Sequence, residues 1–359
     1  MTSTNYPHLA ELGWNDFFEN QLDDERPAEN AIVRVCSVHS MVLFVMGAEG
    51  KRQLAIPGNW LSSDPEDRPT VGDWLILDET GQWPVRILKR QTLVTRRAPS
   101  DITSVQLVAA NLDTLFIVTS LNDDFNLSRL ERYLAIAYEY GVTPVVVLSK
   151  RDLVTAEHAE DCAAQVRALH DGLDVVVVNA LTIDTVNALF PWVEKGMTAT
   201  LVGSSGVGKS TLVNTLSGEE RTPTGAIRDS DSKGRHTTSS RTLYTLPNGG
   251  LIMDVPGFRE LRLPSCEHGI AKVFADIIEI GLHCGFTDCL HDGEPDCAVE
   301  KAVEEGRITR RRVENYRKLL KEQAAQDDEK QQAKIYARQR RVADRVAGKT
   351  SGKKQRRRR

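Results

Sequence analysis

The run Gly203-Ser204-Ser205-Gly206-Val207-Gly208-Lys209-Ser210 spaces its glycines, lysine and terminal hydroxyl as a phosphate-wrapping loop does. Glycine allows a turn so tight that successive backbone N–H groups point inward, and a helix starting at Lys209 adds the positive end of its dipole. Lys209 is then expected on the β- and γ-phosphate oxygens, the Ser210 hydroxyl on Mg²⁺, and Thr211 in the first helical turn. Asp254-Val255-Pro256-Gly257 ends the apolar run LIMDV, 44 residues beyond Ser210. An acid at such a strand tip can hold Mg²⁺ through water, and the Gly257 N–H can sense a γ-phosphate.

Guanine offers a pair of donors, N1–H and the 2-amino group, that one carboxylate can accept together, whereas adenine has no such pair. Ser149-Lys150-Arg151-Asp152 follows the strand-like PVVVL, and Asn179-Ala180 ends the next apolar run. These segments are expected to read the base, with Asp152 on the guanine edge. They precede the phosphate loop, so the usual GTPase order is cut and rejoined. Such a permutation only changes which sheet elements are joined by surface connections. Between the phosphate loop and Asp254 lies the polar stretch 221–240, which reads as a switch segment with Thr237 or Thr238 for Mg²⁺ and the γ-phosphate. Phe258 stands where many GTPases carry a water-orienting glutamine. His236 is the nearest replacement in the sequence; the alternative is a bound partner that completes the site.

Cys284-x₄-Cys289-x-His291-x₅-Cys297 supplies three thiolates and an imidazole within fourteen residues. Zn²⁺ accepts such a set tetrahedrally, and four protein ligands leave no open position, which implies a structural ion. The neighbours Asp288, Asp292, Glu294 and Asp296 make an apolar pocket for free thiols a poor alternative. His283 and His268 are the alternatives to His291, and Cys266 is not expected to be a ligand.

The elements that must position these groups follow from periodicity. Short β-type runs between glycine turns fill residues 31–97 and predict an OB-fold, or another small β topology. Strands and helices alternate through 98–265, which predicts a mainly parallel sheet covered on both faces. Residues 266–326 suit a small, mostly helical zinc domain. Residues 1–30 read as a polar extension that cannot form a core, and 327–359 as a basic tail. The net charge of -4 excludes a general polyanion binder, yet twelve Lys and Arg from Lys334 to Arg359 face one acid, Asp344. The six scattered or clustered cysteines are unlike a disulfide scaffold, and no run of about eighteen apolar residues could span a membrane. A cytoplasmic protein without a membrane partner is expected.

Taken in order, VGDW (71–74), AANLDTLFIVTS (109–120), GSSGVGKSTLVNTL (203–216), GRHTTS (234–239), DVPGFREL (254–261), the Cys-His run and NYRKLL (315–320) make the chain resemble the ribosome small-subunit-dependent GTPase A family. The likeness spans residues 31 to about 322. It implies a multidomain chain: an N-terminal OB-fold β-barrel, a central α/β circularly permuted P-loop GTPase domain and a C-terminal mostly helical zinc-binding domain. It also implies a monomer that binds GTP and GDP, docks on the small ribosomal subunit and its rRNA, and hydrolyses GTP to drive or check late maturation. The chain departs from the family pattern at Ser149, where Asn or Thr is usual, and at Asn179, where Ser is usual. The terminal QRRRR fits RNA through salt-dependent phosphate contacts. The rival readings are an RNA-binding assembly factor with negligible turnover and a GTPase regulating a non-ribosomal complex.

Overall fold

The computed structural model describes residues 5–22, 26–98, 101–122, 124–218, 241–255 and 266–325. Two single-turn helices come first, α1 (Pro7–Ala10) and α2 (Asp16–Glu19), the latter capped by the Asn15 side chain, which accepts from the Phe17 N–H. Contrary to expectation, this segment contributes a core. Tyr6, Leu9, Leu12, Trp14 and Phe18 are buried with Ile32, Trp74 and Leu88. The Trp14 and Trp74 rings meet edge to face at 5.0 Å, the geometry their quadrupoles favour. The five apolar side chains come from two separate helical turns and their flanking residues, and become a core only by closing on Ile32, Trp74 and Leu88.

Five antiparallel strands follow: β1 (Ile32–His39), β2 (Val42–Gly47), β3 (Gly50–Ala55), β4 (Trp74–Leu77) and β5 (Pro84–Ile87), in the order β3-β2-β1-β4-β5. A short helix α3 (Gly58–Leu61) lies between β3 and β4. The strands fall within the stretch 31–97 where short β-type runs are expected, and agree with an OB-type architecture. A hairpin of β6 (Leu93–Ala98) and β7 (Asp101–Ala110) then leads to the central sheet, so it straddles the boundary drawn at residue 98.

Two of the sequence motifs meet at this junction. Gly72, at φ +91°, lies so close to Ala110 that a Cβ would stand 2.0 Å from the Ala110 carbonyl oxygen. Asn111 donates to the Gly72 carbonyl at 2.9 Å. Asp73 is fully buried and takes both Arg90 Nε (2.7 Å) and Nη2 (2.8 Å), while Trp74 fills the core. The buried Arg34 guanidinium donates to the carbonyls of Leu12, Gly72 (3.3 Å) and Asn111 (3.0 Å) and to Thr198 Oγ1 (2.9 Å). One side chain thus ties the N-terminal segment, the barrel and the central sheet together.

The central sheet holds β8 (Thr114–Ser120), β9 (Thr143–Ser149), β10 (Asp174–Val177), β11 (Thr198–Val202), β12 (Thr242–Thr245) and β13 (Leu251–Asp254) in the order β10-β9-β8-β11-β13-β12. All neighbours are parallel except β12, which pairs antiparallel with β13. β8 is buried at every position, as expected of a Val/Ile/Leu-rich strand covered on both faces. Helices α4 (Leu127–Glu139) and α5 (Ala156–Arg167) cover one face, and α6 (Ile183–Val186) with α7 (Lys209–Ser217) the other. The crossover between β10 and β11 is only one α turn followed by a 3₁₀ stretch, Asn187–Trp192. Pro191 inside it has no N–H for an α-helical bond.

Beyond residue 265, α8 (Glu267–Val273), α9 (Ala275–Gly281), α10 (Ala298–Glu304) and α11 (310–325) share the apolar core of the α4/α5 face. A Cβ on Gly269 would stand 1.9 Å from the Ala135 carbonyl oxygen, so only glycine lets α8 lie this close to α4.

Candidate nucleotide site and metal centre

In a parallel sheet all strands end on one edge, and ligands sit where neighbouring strands lead away to opposite faces. Here that point lies between β8, followed by α4 on one face, and β11, followed by α7 on the other. The loop 203–208 leaves β11 at this place. Gly203 has φ +142° and a Cβ there would stand 2.1 Å from the Val118 carbonyl oxygen; Gly206 and Gly208 also have positive φ, +77° and +98°. Each glycine therefore meets a backbone demand, and Gly208 is the residue from which α7 begins. Val207 is buried, Ser205 and Gly206 are exposed, and Ser210 and Thr211 are half-buried in the first turn of α7. Lys209 Nζ donates to the carbonyls of Gly203, at 2.7 Å, and Ser204.

The segments expected to read a base close against this loop. Ser149, fully buried at the end of β9, donates to the Val207 carbonyl at 2.6 Å and approaches that of Thr119 at 3.3 Å. Gly208 faces Ala180 Cβ and Ser149 Oγ. Thr215 of α7 donates to the Ala180 carbonyl at 2.7 Å. The two base segments are also bonded together, Arg151 N–H to Val178 O at 3.2 Å. Lys150 turns the chain with φ +60°, and Asp152 sits exposed in the following 3₁₀ turn. Asn179 Oδ1 accepts from the Leu181 N–H and holds the second loop closed. Leu153 and Leu181 stand exposed beside them.

Asp254 ends β13, the strand beside β11, and Thr200 Oγ1 bonds the Met253 carbonyl at 2.8 Å across that pair. Residues 149–152, 179–180, 203–211 and 254 thus occupy one edge of the sheet. His236, Thr237, Thr238 and Gly257 lie outside the described residues.

Sequence reasoning missed Arg129. It stands in the first turn of α4, directly after the loop that leaves β8. Its Nη1 donates to Asp124 Oδ1 at 2.7 Å and to the Ser204 hydroxyl in the phosphate loop, and Nη2 approaches the Asp124 carbonyl at 3.2 Å. No local pattern marks it, because it sits at a polar position of an amphipathic helix; only the adjacency of β8 and β11 brings it to the loop.

The Cys-His run also converges. Cys284, Cys289 and Cys297 place Sγ at 3.6, 3.5 and 3.5 Å from His291 Nδ1, and Cys284 Sγ lies 3.9 Å from Cys297 Sγ. All four ligand atoms fall within 4.8 Å of one another, which makes this a metal-binding cluster. His291 and Asp296 adopt φ +57° and +56°, turning the chain back so that four donors face inward. Glu294 accepts from the N–H groups of Asp292 (2.6 Å) and Leu290 (2.9 Å), pins the knuckle, and is held down to a pKa of about 2 by those backbone donors. Cys266 is buried elsewhere, its thiol pushed up to about 12 by burial, and neither His268 nor His283 joins the cluster.

The comparisons with known proteins agree with this geometry. The profile described as "RsgA GTPase" matches residues 87–264. A Vibrio vulnificus protein called small ribosomal subunit biogenesis GTPase RsgA 2 is 48% identical over 324 residues, covering 90% of each chain. A Xanthomonas axonopodis pv. citri protein called small ribosomal subunit biogenesis GTPase RsgA is 38% identical over 98% of this chain and 96% of its own. The crystal structure of YjeQ from Thermotoga maritima superposes with a TM-score of 0.59 at 25% identity, covering 82% of this chain and 98% of that one. YloQ, described as a circularly permuted GTPase, shares the fold with a TM-score of 0.57 at 22% identity over 82% of this chain and 95% of its own. With its base-side segments upstream of its phosphate loop and its Cys₃His cluster downstream, the chain belongs to the RsgA GTPase family.

Proposed function

We propose that this GTPase binds the small ribosomal subunit and hydrolyses GTP to GDP and phosphate as a step or checkpoint of late subunit maturation. The observation that carries the nucleotide reading is the Ser149–Val207 hydrogen bond. It fastens the base-side strand to the phosphate loop across 58 residues of chain, so one nucleotide can touch both. Asp152 then accepts from guanine N1–H and the 2-amino group. Asn179 and Ala180 frame the base from the second loop, and the N–H groups of 203–209 cradle the phosphates. Lys209 leaves its loop carbonyls for the β/γ oxygens, while Ser210 and Asp254 serve Mg²⁺, directly and through water. Thr237 or Thr238, Gly257 and His236 are assigned to the switch side from the sequence. Ser149 carries the loop-to-loop contact with a hydroxyl in place of a longer amide.

The metal is Zn²⁺. Bonds of about 2.3 Å to sulfur and about 2.05 Å to nitrogen set tetrahedral edges of about 3.6 Å for S···N and about 3.8 Å for S···S. The S···N separations of 3.5–3.6 Å and the Cys284–Cys297 S···S distance of 3.9 Å support that fit, with all ligand atoms within 4.8 Å of one another. Four protein donors fill the sphere, so the ion is structural and takes no part in turnover.

The ribosomal partner is supported by the names its relatives carry and by the arginine-rich tail. We divide the chain at 30, 97, 265 and 326 into extension, barrel, GTPase domain, zinc domain and tail. No helix among the described residues is long and apolar enough to cross a membrane; this reading takes the protein as a cytoplasmic monomer. The test is turnover of GTP and of ATP by the purified protein, with and without purified small subunits. GTP-selective turnover stimulated by subunits is expected. Equal use of ATP would overturn the base assignment, and turnover indifferent to subunits would overturn the partner.

A further inference from the structure

The phosphate loop has a base end and a far end. Val207 and Gly208 face Ser149 and Ala180, so the base lies on that side. Gly203 and Ser204 form the other end, where the Lys209 ammonium donates to their carbonyls. Arg129 enters at this far end, through Ser204 Oγ. Ser204 therefore binds two cations, one by its carbonyl and one by its hydroxyl, which keeps them within about 9 Å of each other. A terminal phosphoryl group held by Lys209 lies within the swing of a guanidinium so placed.

The surroundings of Arg129 suit a pivot better than a fixed strut. Its backbone N–H is capped by Asn126 Oδ1 at 3.0 Å, which fixes the root of the side chain. The preceding loop is braced by Ser120 Oγ on Asn122 Oδ1 (2.6 Å) and by Thr119 Oγ1 on the Asp124 carbonyl (3.2 Å). Asp124 holds one edge of the guanidinium, and its other carboxylate oxygen, Oδ2, is buried without a hydrogen-bond partner. Arg129 remains one-third exposed. A guanidinium carries five donors, and a phosphoryl group with three charged oxygens is a stronger acceptor than a serine hydroxyl.

We infer that Arg129 is a positive charge supplied in cis to the terminal phosphoryl group of the nucleoside triphosphate. It turns on Asp124 away from Ser204, the free Asp124 oxygen taking a second guanidinium N–H as it does so. When water adds to the γ-phosphorus and the bond to the bridging oxygen breaks, electron density moves onto the equatorial and bridging oxygens. Arg129 neutralises that charge, while the proton of the attacking water leaves with the phosphate. GDP lacks the γ-phosphoryl group and does not engage Arg129. This inference rests on the GTPase reading above.

The test uses full-length protein carrying Arg129→Ala or Arg129→Lys. The affinities measured are for GDP and for GMPPNP, an analogue that keeps the γ-phosphoryl group but resists hydrolysis. Single-turnover GTP cleavage is followed at saturating nucleotide on small subunits. Arg129→Ala is expected to bind GDP within about twofold of wild type and GMPPNP about 10-fold more weakly, and to cleave about 1,000-fold more slowly. Arg129→Lys should regain most of the GMPPNP affinity but little of the rate, because a point charge replaces the planar fork. Equal losses for GDP and GMPPNP in both variants would make Arg129 a prop of the loop and overturn the inference, as would unchanged discrimination and rate. A wild-type protein that binds GMPPNP but never cleaves GTP would sink the GTPase reading instead, and the GMPPNP-to-GDP ratio would still decide the role of Arg129.

Discussion

Glu131 is the perturbation that most directly tests how the helices around the Cys-His cluster are held on the central domain. Its carboxylate is fully buried on α4 and accepts from Arg311 Nη1 (2.8 Å) and Nη2 (2.9 Å), Arg312 Nη1 (2.8 Å) and Asn315 Nδ2 (2.6 Å), all on α11. Arg312 is buried too, and also binds Asp276 at 2.9 and 3.0 Å and the carbonyls of Leu169 and Val273. Glu131→Gln keeps the shape, removes the charge, and sets an amide N–H₂ against guanidinium donors. Breaking a buried ion pair from one side costs about 3–5 kcal/mol. Arg311 is 36% exposed and can turn to water, and Arg312 keeps Asp276, so the lower end, about 3 kcal/mol, applies. At about 1.4 kcal/mol per factor of ten, α11 should open more than 100-fold more often. Hydrogen exchange read peptide by peptide should show that acceleration over 310–325, with β8 and β9 still protected. Unchanged exchange in α11 would refute the reasoning, and so would equal acceleration across the whole sheet, since the loss would then be global rather than local.

Gly203→Ala should abolish tight GDP binding, a loss of about 100-fold or more by calorimetry, because a Cβ there meets the Val118 carbonyl oxygen at 2.1 Å and φ is +142°; affinity within a few-fold would show that the loop tolerates the shift. Cys289→Ser should drop zinc content from one equivalent to near zero by elemental analysis, because a neutral hydroxyl replaces a thiolate; full zinc content would reject the ligand assignment. Deleting 340–359 should weaken subunit binding at low salt and matter less as salt rises; the same binding throughout a salt titration would exclude the tail from the contact.

Chemistry that depends on residue type and spacing along the chain was legible. The phosphate loop declares itself because its glycines, lysine and serine must fall at fixed places within one eight-residue run to do their work, and the metal knuckle because its four donors lie within fourteen residues. The central strands were legible as uninterrupted β-branched runs between helical periods. The N-terminal core was not, because its five apolar residues pack onto Trp74 and Leu88 of a later strand and turn rather than onto each other alone. The contacts that assemble the molecule were hidden for the same reason: Arg34 meets Thr198 across 164 residues, Arg312 meets Glu131 across 181, and Arg129 meets Ser204 across 75. A lone arginine on a helix face carries no periodicity that separates a solvated residue from one aimed at a neighbouring loop. Strand order makes the difference. Because β8 lies beside β11 rather than out at the sheet edge, the first turn of α4 opens onto the phosphate loop, while Glu131, Ala135 and Glu139 of the same helix hold α11 and α8. The helix that positions Arg129 is therefore the one on which the metal-bearing domain is seated, a consequence of topology that no inspection of α4 in isolation would reveal.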